Sequence, residues 1–215
     1  MEHLVFAPRS ANGRSRSDWI NTGDCVWDGP ECLQKTPCIR DFYPDHGRFF
    51  CLTLGLGKAN WRTLMNEAQS IEAFDDIEYI SDVFISITEY LHGQQSKISA
   101  DTMKDMIATL TESPIFPVRA GKSEATFDYL STAQSTDKWF IADREHLSQT
   151  FEGLVPLLAL KAETIGKIAP LIATLGWEHR LLSRHVQGVP ETGGRIQLTF
   201  EYTKSICAKA RYIAR

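Results

Sequence analysis

Between residues 60 and 112, apolar residues recur at the three- and four-residue steps of amphipathic helices. A first helix is predicted directly after Asn60, whose side chain suits the N-cap position. Its apolar positions are Trp61, Leu64, Met65, Ala68 and Ile71. The stretch therefore predicts a helix with one apolar face.

Two more helices are predicted after the first. The second runs from Asp75 to Gly93, because acidic residues at its start suit the helix dipole and a glycine suits its C-terminal end. Its apolar positions are Ile77, Ile80, Phe84, Ile87 and Leu91. The third is predicted over roughly residues 99–111, after the polar break "GQQSK".

After residue 113 the pattern changes to short β-prone runs. "IFPV" and "KWFIAD" are predicted to pair as an antiparallel hairpin or edge ribbon. Asp143 is predicted to cap a short helix in "REHLSQTFEGL", with Leu147 and Phe151 on its apolar side. Further helices are predicted in "AETIGKIAPLIATLGWEHRLLSRHV" and "RIQLTFEYTKSICAKARYIAR", on either side of the loop "QGVPETGG".

These elements predict a predominantly helical α+β fold, in which helical bundle halves are joined by a small antiparallel β hairpin or sheet. Residues 1–23 are predicted to be a flexible basic N-terminal arm. Residues 24–215 are predicted to form a single mainly helical α+β domain. Its helical half spans about residues 24–112, and the hairpin and later helices span about residues 113–215.

The composition is that of a packed globular protein, with 43% hydrophobic and 23% charged residues. No apolar stretch approaches the roughly 18 residues of a membrane span, and the N-terminus lacks the apolar stretch of a secretory signal. The five cysteines, an odd number, favour reduced thiols over a disulfide framework. We therefore expect an intracellular protein, cytoplasmic or nuclear, without membrane association.

Charge is unevenly distributed along the chain. Residues 66–112 carry ten acidic residues and two lysines, whereas residues 161–215 carry nine basic and four acidic residues. Two solvated helical faces of opposite sign are the first interpretation, and a surface for docking a partner is the alternative. The net charge of -4 argues against general nucleic-acid binding. An anion or nucleic-acid contact through the N-terminal arm and the basic C-terminal helices is a further alternative.

The triplet Gly121-Lys122-Ser123 resembles the end of a nucleotide-binding P-loop, but the spacing is wrong. A P-loop needs a glycine five positions before the Gly-Lys pair, where this chain has Phe116, and Pro117 in the loop has no N–H to donate to a phosphate. The similar "LGLGKANW" has Leu52 at that glycine position. We therefore expect no nucleotide binding and no cofactor.

The cysteines and histidines do not follow a metal-binding or catalytic spacing. Four of the cysteines are separated by seven, six and thirteen positions, which gives no C-x-x-C pair, although Cys38, His46 and Cys51 can in principle converge on a metal. Whether these four bind a metal is left open, and buried thiols that act as small apolar groups are the preferred interpretation. They are Cys25, Cys32, Cys38 and Cys51.

The run "WEHRLLSRH" brings His179, Arg180 and Arg184 within two helical turns. Such a cationic cluster can hold an anion, but a solvated helix face is the preferred interpretation. No G-x-S-x-G motif occurs. We therefore nominate no catalytic, cofactor-binding or metal-binding residue.

Aromatic residues cluster around prolines early in the chain. They are predicted to form a rigid, packed lid over the three-helix half, while Trp139 and Phe140 hold the hairpin against the later helices. The aromatic residues of the lid are Trp27, Phe42, Tyr43, Phe49 and Phe50. Asp28 is predicted to cap the backbone of a turn.

Three strings carry a resemblance to a known group: "CVWDGPECLQKTPCIRDFYP", "IFPV" followed by "DKWFIADREHLSQTFEGLVPLLAL", and the terminal "KARYIAR". They resemble the region that follows the ATPase module in large fungal proteins related to plant NO VEIN and, more remotely, to sacsin. The resemblance extends from about Cys25 to Arg215. In that group the ATP site lies in an N-terminal GHKL-type module, whose Asn-bearing helix and glycine-rich lid are not found in this sequence. The resemblance therefore implies an accessory region that acts in scaffolding or partner contact.

We therefore expect a non-catalytic interaction or scaffold module with a protein partner. Such a module predicts an exposed apolar patch and carboxylates used as backbone caps. The alternative is a small-molecule enzyme with a pocket between the helical and hairpin halves. It would use Asp28, Asp143, His146 or the His179–His185 cluster for acid–base chemistry.

Overall fold

A computed structural model of the 215-residue chain describes residues 4–7, 18–94, 98–121, 127–134 and 138–186. The described part is predominantly helical α+β, with two small antiparallel sheets. The chain divides into two compact units. The first comprises the chain up to Ile71 together with Asp82–Ile98, and the second comprises Glu72–Ser81 together with the chain from Ser99 onward.

Two strands lie within residues 1–23, where the sequence predicted no regular structure. Strand β1 (Leu4–Ala7) pairs antiparallel with β2 (Asp18–Asn21), with Val5 opposite Ile20. The prediction that structure begins near Asp24 is therefore wrong for these residues. The strands are stabilised from one face, because Val5 is buried with Ile39 and Phe50 in the core of the first unit.

Between the hairpin and the first helix, the first unit consists of short turns held by backbone hydrogen bonds. Short 3-10 turns span Thr22–Asp24, Ile39–Asp41 and Pro44–His46, and a π-helical turn spans Phe49–Thr53. Residues 26–28 form backbone hydrogen bonds with two other segments of the first unit. Ile39 N–H donates to the carbonyl of Val26, and Trp27 N–H donates to that of Gly57.

The three predicted helices are present in the structure. They are α1 (Trp61–Gln69), α2 (Ile77–Gln94) and α3 (Ala100–Glu112). Asn60 caps α1 as predicted, since its side chain accepts from the N–H groups of Arg62 and Thr63. Ser99 caps α3 in the same way. In the described part of the chain no helix combines the length and the apolar character needed to cross a membrane.

Glu67, on the apolar face of α1, is fully buried. Its carboxylate accepts from three successive backbone N–H groups of the preceding loop. Oε1 lies 2.8 Å from the nitrogen of Gln34 and 2.9 Å from that of Lys35, and Oε2 lies 3.0 Å from that of Thr36. The Lys35 ammonium also donates to the Ser70 carbonyl at the end of α1. These bonds fix loop 34–36 to the helix and compensate for burying the charge.

The sheet of the second unit has a different pairing from the predicted hairpin. Its strand order is β4 (Tyr129–Ser131), β3 (Phe116–Arg119), β5 (Leu157–Leu158), with both pairs antiparallel. The predicted strand in "KWFIAD" is not the partner of β3, so that prediction is wrong. Phe140 instead forms an isolated parallel bridge with Leu157, and Ile141 forms one with Leu181.

The helices after the sheet are short. They are α4 (Glu145–Phe151), α5 (Ala162–Lys167), α6 (Ala169–Thr174) and α7 (Leu182–His185), with a 3-10 turn over Trp177–Arg180. Leu147 and Phe151 are buried, as predicted. The predicted cap is wrong, because Asp143 does not bond the start of α4. Its Oδ1 instead accepts from the N–H of Ser183, 3.1 Å away in α7. The predicted helix after residue 194 lies outside the described residues.

An aromatic cluster with one cation lies at the centre of the second unit. The rings of Phe116, Trp139 and Trp177 are 4.5 to 5.8 Å apart between centroids. The Arg180 guanidinium lies 4.2 Å from the centroid of Trp139 and donates to the carbonyls of Trp139 and Ala133. Burial lowers the pKa of Arg180. The guanidinium therefore connects the 3-10 turn before α7 to Ala133 and Trp139 through hydrogen bonds and a cation–π contact.

Replacing Glu67 with Gln should destabilise the first unit strongly. The amide NH₂ would meet an N–H donor that it cannot accept from, so we expect the free energy of unfolding to fall by about 3 kcal/mol. Urea unfolding of the two proteins measures this difference. Asn66→Ala, at an exposed neighbour on the same helix, is the control and should change the value by about 0.5 kcal/mol or less. Equal stability of Glu67→Gln and the wild type would contradict this role.

Arg180→Met should lower the free energy of unfolding by about 2–3 kcal/mol, because two carbonyls lose their charged donor and the Trp139 ring loses its cation. Arg184→Met removes an exposed arginine from the adjacent helix and should cost about 0.5 kcal/mol. Urea unfolding of both variants is the measurement. A solvated Arg180 would instead give the two variants the same stability.

Candidate functional site

The outer face of the N-terminal hairpin is apolar and open to solvent. Along β1 the side chains alternate, with Val5 and Ala7 buried and Leu4 and Phe6 exposed. Trp19 lies opposite Phe6 on β2, with the ring centroids 5.4 Å apart, and 62% of Trp19 is exposed. One face of a two-stranded sheet thus presents three large apolar side chains to solvent.

Contacts link this face to the aromatic turns. The hydroxyl of Tyr43 donates to the carbonyl of Phe6 at 3.0 Å. The Tyr43 ring lies 5.3 Å from that of Phe50, and Phe50 lies 5.3 Å from Phe49. Half of Phe49 is exposed, and Leu52 on the same π-helical turn is 75% exposed. We call the exposed face of the hairpin the aromatic surface: Leu4, Phe6 and Trp19.

The predicted aromatic lid is divided between core and surface. Phe50 is buried, and Trp27 stacks on it with centroids 5.7 Å apart. Gly47 allows this packing, because a Cβ at that position would lie 2.9 Å from the Trp27 ring. Phe49 was predicted to pack but is exposed. The hairpin was not predicted from the sequence, where the signal for β1 is the apolar run "LVFA".

Asp28 lies in the first unit between two cations. Its carboxylate is 3.2 Å from Arg40 and 3.5 Å from Lys58. Desolvation would raise the pKa of Asp28, but the hydrogen bond and charge of Arg40, with those of Lys58, lower it below 3.8. The side chain therefore forms ion pairs rather than the predicted turn cap, and it is held in the form that cannot donate a proton.

Asp143 and Glu178 line a cleft of about 220 Å³ in the second unit. The cleft is otherwise lined by α5, α6 and Leu181, and Ile165 and Ile172 form its apolar part. Glu178 also forms an exposed ion pair with Arg184 at 3.4 Å. This cleft brings together two carboxylates, of which the sequence analysis nominated one.

The nominated histidines do not meet these carboxylates in a reacting pair. His146 is exposed on α4. The Nδ1 of His179 donates to the carbonyl of Gly176 at 2.8 Å, and the Nε2 of His185 donates to that of His179 at 2.6 Å. Arg180 points into the aromatic cluster, so the predicted solvated cationic face is wrong for this residue.

The region that resembled a P-loop is occupied by an acidic side chain. Asp128 accepts from the N–H of Ala120 at 2.6 Å and from that of Gly121 at 3.0 Å. These two amides are therefore already bonded to an anion of the chain itself. Lys122 and Ser123 lie outside the described residues.

The cysteines of the described region are free thiols. Cys25 and Cys32 are buried, and Cys38 and Cys51 are half-buried, while Cys207 lies outside the described residues. Within the described ranges, no three His, Cys, Asp or Glu side chains are placed to hold a metal ion. Burial raises the pKa of Cys25 to about 11, aided by Asp24, and that of Cys38 to about 11, aided by Asp41.

Cys25 and Cys38 should therefore react slowly with iodoacetamide in the folded protein. At pH 8 a thiol of pKa about 11 is roughly 0.1% thiolate, whereas an unfolded thiol of pKa about 8.5 is roughly a quarter thiolate. We expect alkylation at least about 100-fold slower than in urea, measured peptide by peptide by mass spectrometry. The rates should rise as the pH approaches 11. Equal rates in the folded and unfolded protein would contradict the burial of these thiols.

Comparison with known proteins relates this chain to a family. No curated protein and no solved structure matches the sequence. Residues 62–186 match the family of the domain of unknown function DUF8348. The match begins in α1 and ends after α7, so it includes the acidic cleft and follows the aromatic surface in the chain. Because it covers more than half of the 215 residues, the protein belongs to the DUF8348 family.

Proposed function

We propose that the protein is a non-catalytic protein-interaction module that binds its partner through the aromatic surface. The observation that carries this proposal is the open apolar face of the hairpin, with Leu4, Phe6 and Trp19 side by side. Scattered exposed apolar residues are ordinary, but a connected set of large ones is typical of protein interfaces. The resemblance to the accessory region of NO VEIN-like proteins is consistent with this role.

The construction of the surface also suits a protein partner. Trp19 and Phe6 pack against each other, and the hydrogen bond from Tyr43 holds the strand beneath them. Rigid aromatic side chains bury a large apolar area at a low cost in conformational entropy, and they are enriched among the residues that dominate binding energy. An apolar face held in place in this way suits an apolar segment of another protein.

Several of the residues that the enzyme alternative would use make contacts within the fold, although His146 is exposed. Asp28 is paired with two cations, and Asp143 accepts from the backbone of α7. His179 and His185 donate to backbone carbonyls. These contacts favour a structural role for each group over general acid–base work, and so support the proposal of a non-catalytic module.

A photo-cross-linking amino acid at position 19 tests the proposal. With p-benzoylphenylalanine in place of Trp19, irradiation of cells that express the protein should give a discrete adduct with one other protein. The same substitution at Phe74 is the matched control, since Phe74 is 98% exposed but belongs to the other unit. A pattern of adducts that is the same at both positions, or no adduct at position 19, would overturn the proposal.

Trp19→Ser should then abolish recovery of that partner while leaving the fold intact. Trp19 is mostly exposed, so we expect its loss to change the free energy of unfolding by about 1 kcal/mol or less. Phe74→Ser should leave partner binding unchanged. Sedimentation velocity of the purified wild type shows whether the partner is a second copy of this chain or a different protein. A second copy would give a dimer without any added partner.

A further inference from the structure

The acidic cleft of the second unit differs from the aromatic surface in both shape and charge. Its apolar part is formed by Ile165 and Ile172 of α5 and α6 and by Leu181 before α7. The ionisable residues that line it are Asp143 and Glu178, both acidic. A cleft lined by apolar side chains and two acidic residues complements a side chain with an aliphatic stem and a cationic end.

Size narrows the choice of ligand. The cleft measures about 220 Å³, below the roughly 300–1,000 Å³ that is typical of small-molecule sites. It therefore suits one large side chain rather than a whole metabolite. Arginine fits better than lysine, because its planar guanidinium can bond two carboxylates at once.

The two carboxylates retain capacity for such a ligand. Asp143 uses Oδ1 to accept from Ser183 N–H, and a carboxylate has about four acceptor positions on its two oxygens. Glu178 pairs with Arg184 at 3.4 Å, and both side chains are about half exposed. Exposed pairs of this kind are weak and exchange readily with competing cations. The pair also shows that a guanidinium can approach Glu178 in this fold.

A second cleft among the described residues of this unit does not have the same preference for a cationic ligand. It measures about 140 Å³, and it is lined by Arg119 and Lys161 as well as by Glu145 and Glu152. Arg119 and Glu152 form an ion pair across 3.0 Å. Charges of both signs line that cleft, whereas the ionisable residues that line the cleft of Asp143 and Glu178 are both acidic.

From these observations we infer that the cleft binds an arginine side chain of a partner protein. Its guanidinium pairs with Asp143 and Glu178, and its stem packs on Ile165, Ile172 and Leu181. This site is independent of the aromatic surface, so failure of one proposal leaves the other standing.

Titration of the ¹⁵N-labelled full-length protein with a short peptide tests the site. The probe is acetyl-Gly-Ala-Arg-Ala-Gly-amide, and the comparison peptide carries citrulline, the neutral isostere of arginine. We expect saturable shifts of the Gly166, Ala169 and Leu181 amide signals with the arginine peptide, and binding at least about tenfold weaker with the citrulline peptide. Equal binding of both peptides, or shifts confined to other residues, would overturn the inference.

Matched variants then test whether the charges of Asp143 and Glu178 bind the arginine peptide. Asp143→Asn keeps an oxygen acceptor for the Ser183 N–H but removes the negative charge. Glu178→Gln removes the negative charge of the second carboxylate. Each should weaken the arginine peptide by about tenfold. Glu163→Gln, at an exposed residue of α5 that pairs with Lys167, should have no effect. Loss of binding in the Glu163 variant, or unchanged binding in both others, would contradict the assignment.

A last variant tests whether the cleft binds a partner protein or the C-terminal segment of this chain. That segment contains four basic residues after residue 203: Lys204, Lys209, Arg211 and Arg215. Changing all four to Gln in the full chain should leave the affinity for the arginine peptide unchanged. If the peptide instead binds several-fold tighter, the segment competes for the cleft and the assignment to a partner protein is wrong.

Discussion

The first unit depends on the burial of one charged side chain. Glu67 lies on the face of α1 that packs inward, and a carboxylate can be buried there only if donors surround it. Loop 34–36 supplies three N–H groups. Because those three amides must converge on one carboxylate, the loop is held in one conformation. The residues that follow the loop, 37–40, form backbone hydrogen bonds with residues 26 and 27. The turns that carry the aromatic residues are built outward from this contact.

The second unit contains a partly buried cation whose lost hydration is also replaced by protein groups. Arg180 is half-buried, and the Trp139 ring and two backbone carbonyls replace the water it loses. Asp143 and Asp128 likewise accept from backbone N–H groups. In both units, charged side chains hold irregular backbone in place, in a protein whose strands and later helices are short.

The two candidate binding regions belong to different parts of the chain. The aromatic surface is made from residues before α1, which precede the residues matched by the family. The acidic cleft is made by residues 143–181, within the match. The cleft therefore lies within the part of the chain that matches the family, and the aromatic surface lies before it.

The sequence by itself determined the helical elements and the fold class. The periodicity of α1 to α3 and the Asn60 cap involve residues within about four positions of each other, so the local pattern contains the information. Pairing partners were decided only by the tertiary structure. β3 joins β4 and β5 rather than "KWFIAD", Asp143 bonds Ser183 forty positions away, and Glu67 is buried by a loop more than thirty positions before it. The reason is physical: several segments share the same local preference for strand or cap, and the choice among them depends on contacts between residues that are far apart in the chain, such as those that satisfy Glu67 and Asp143.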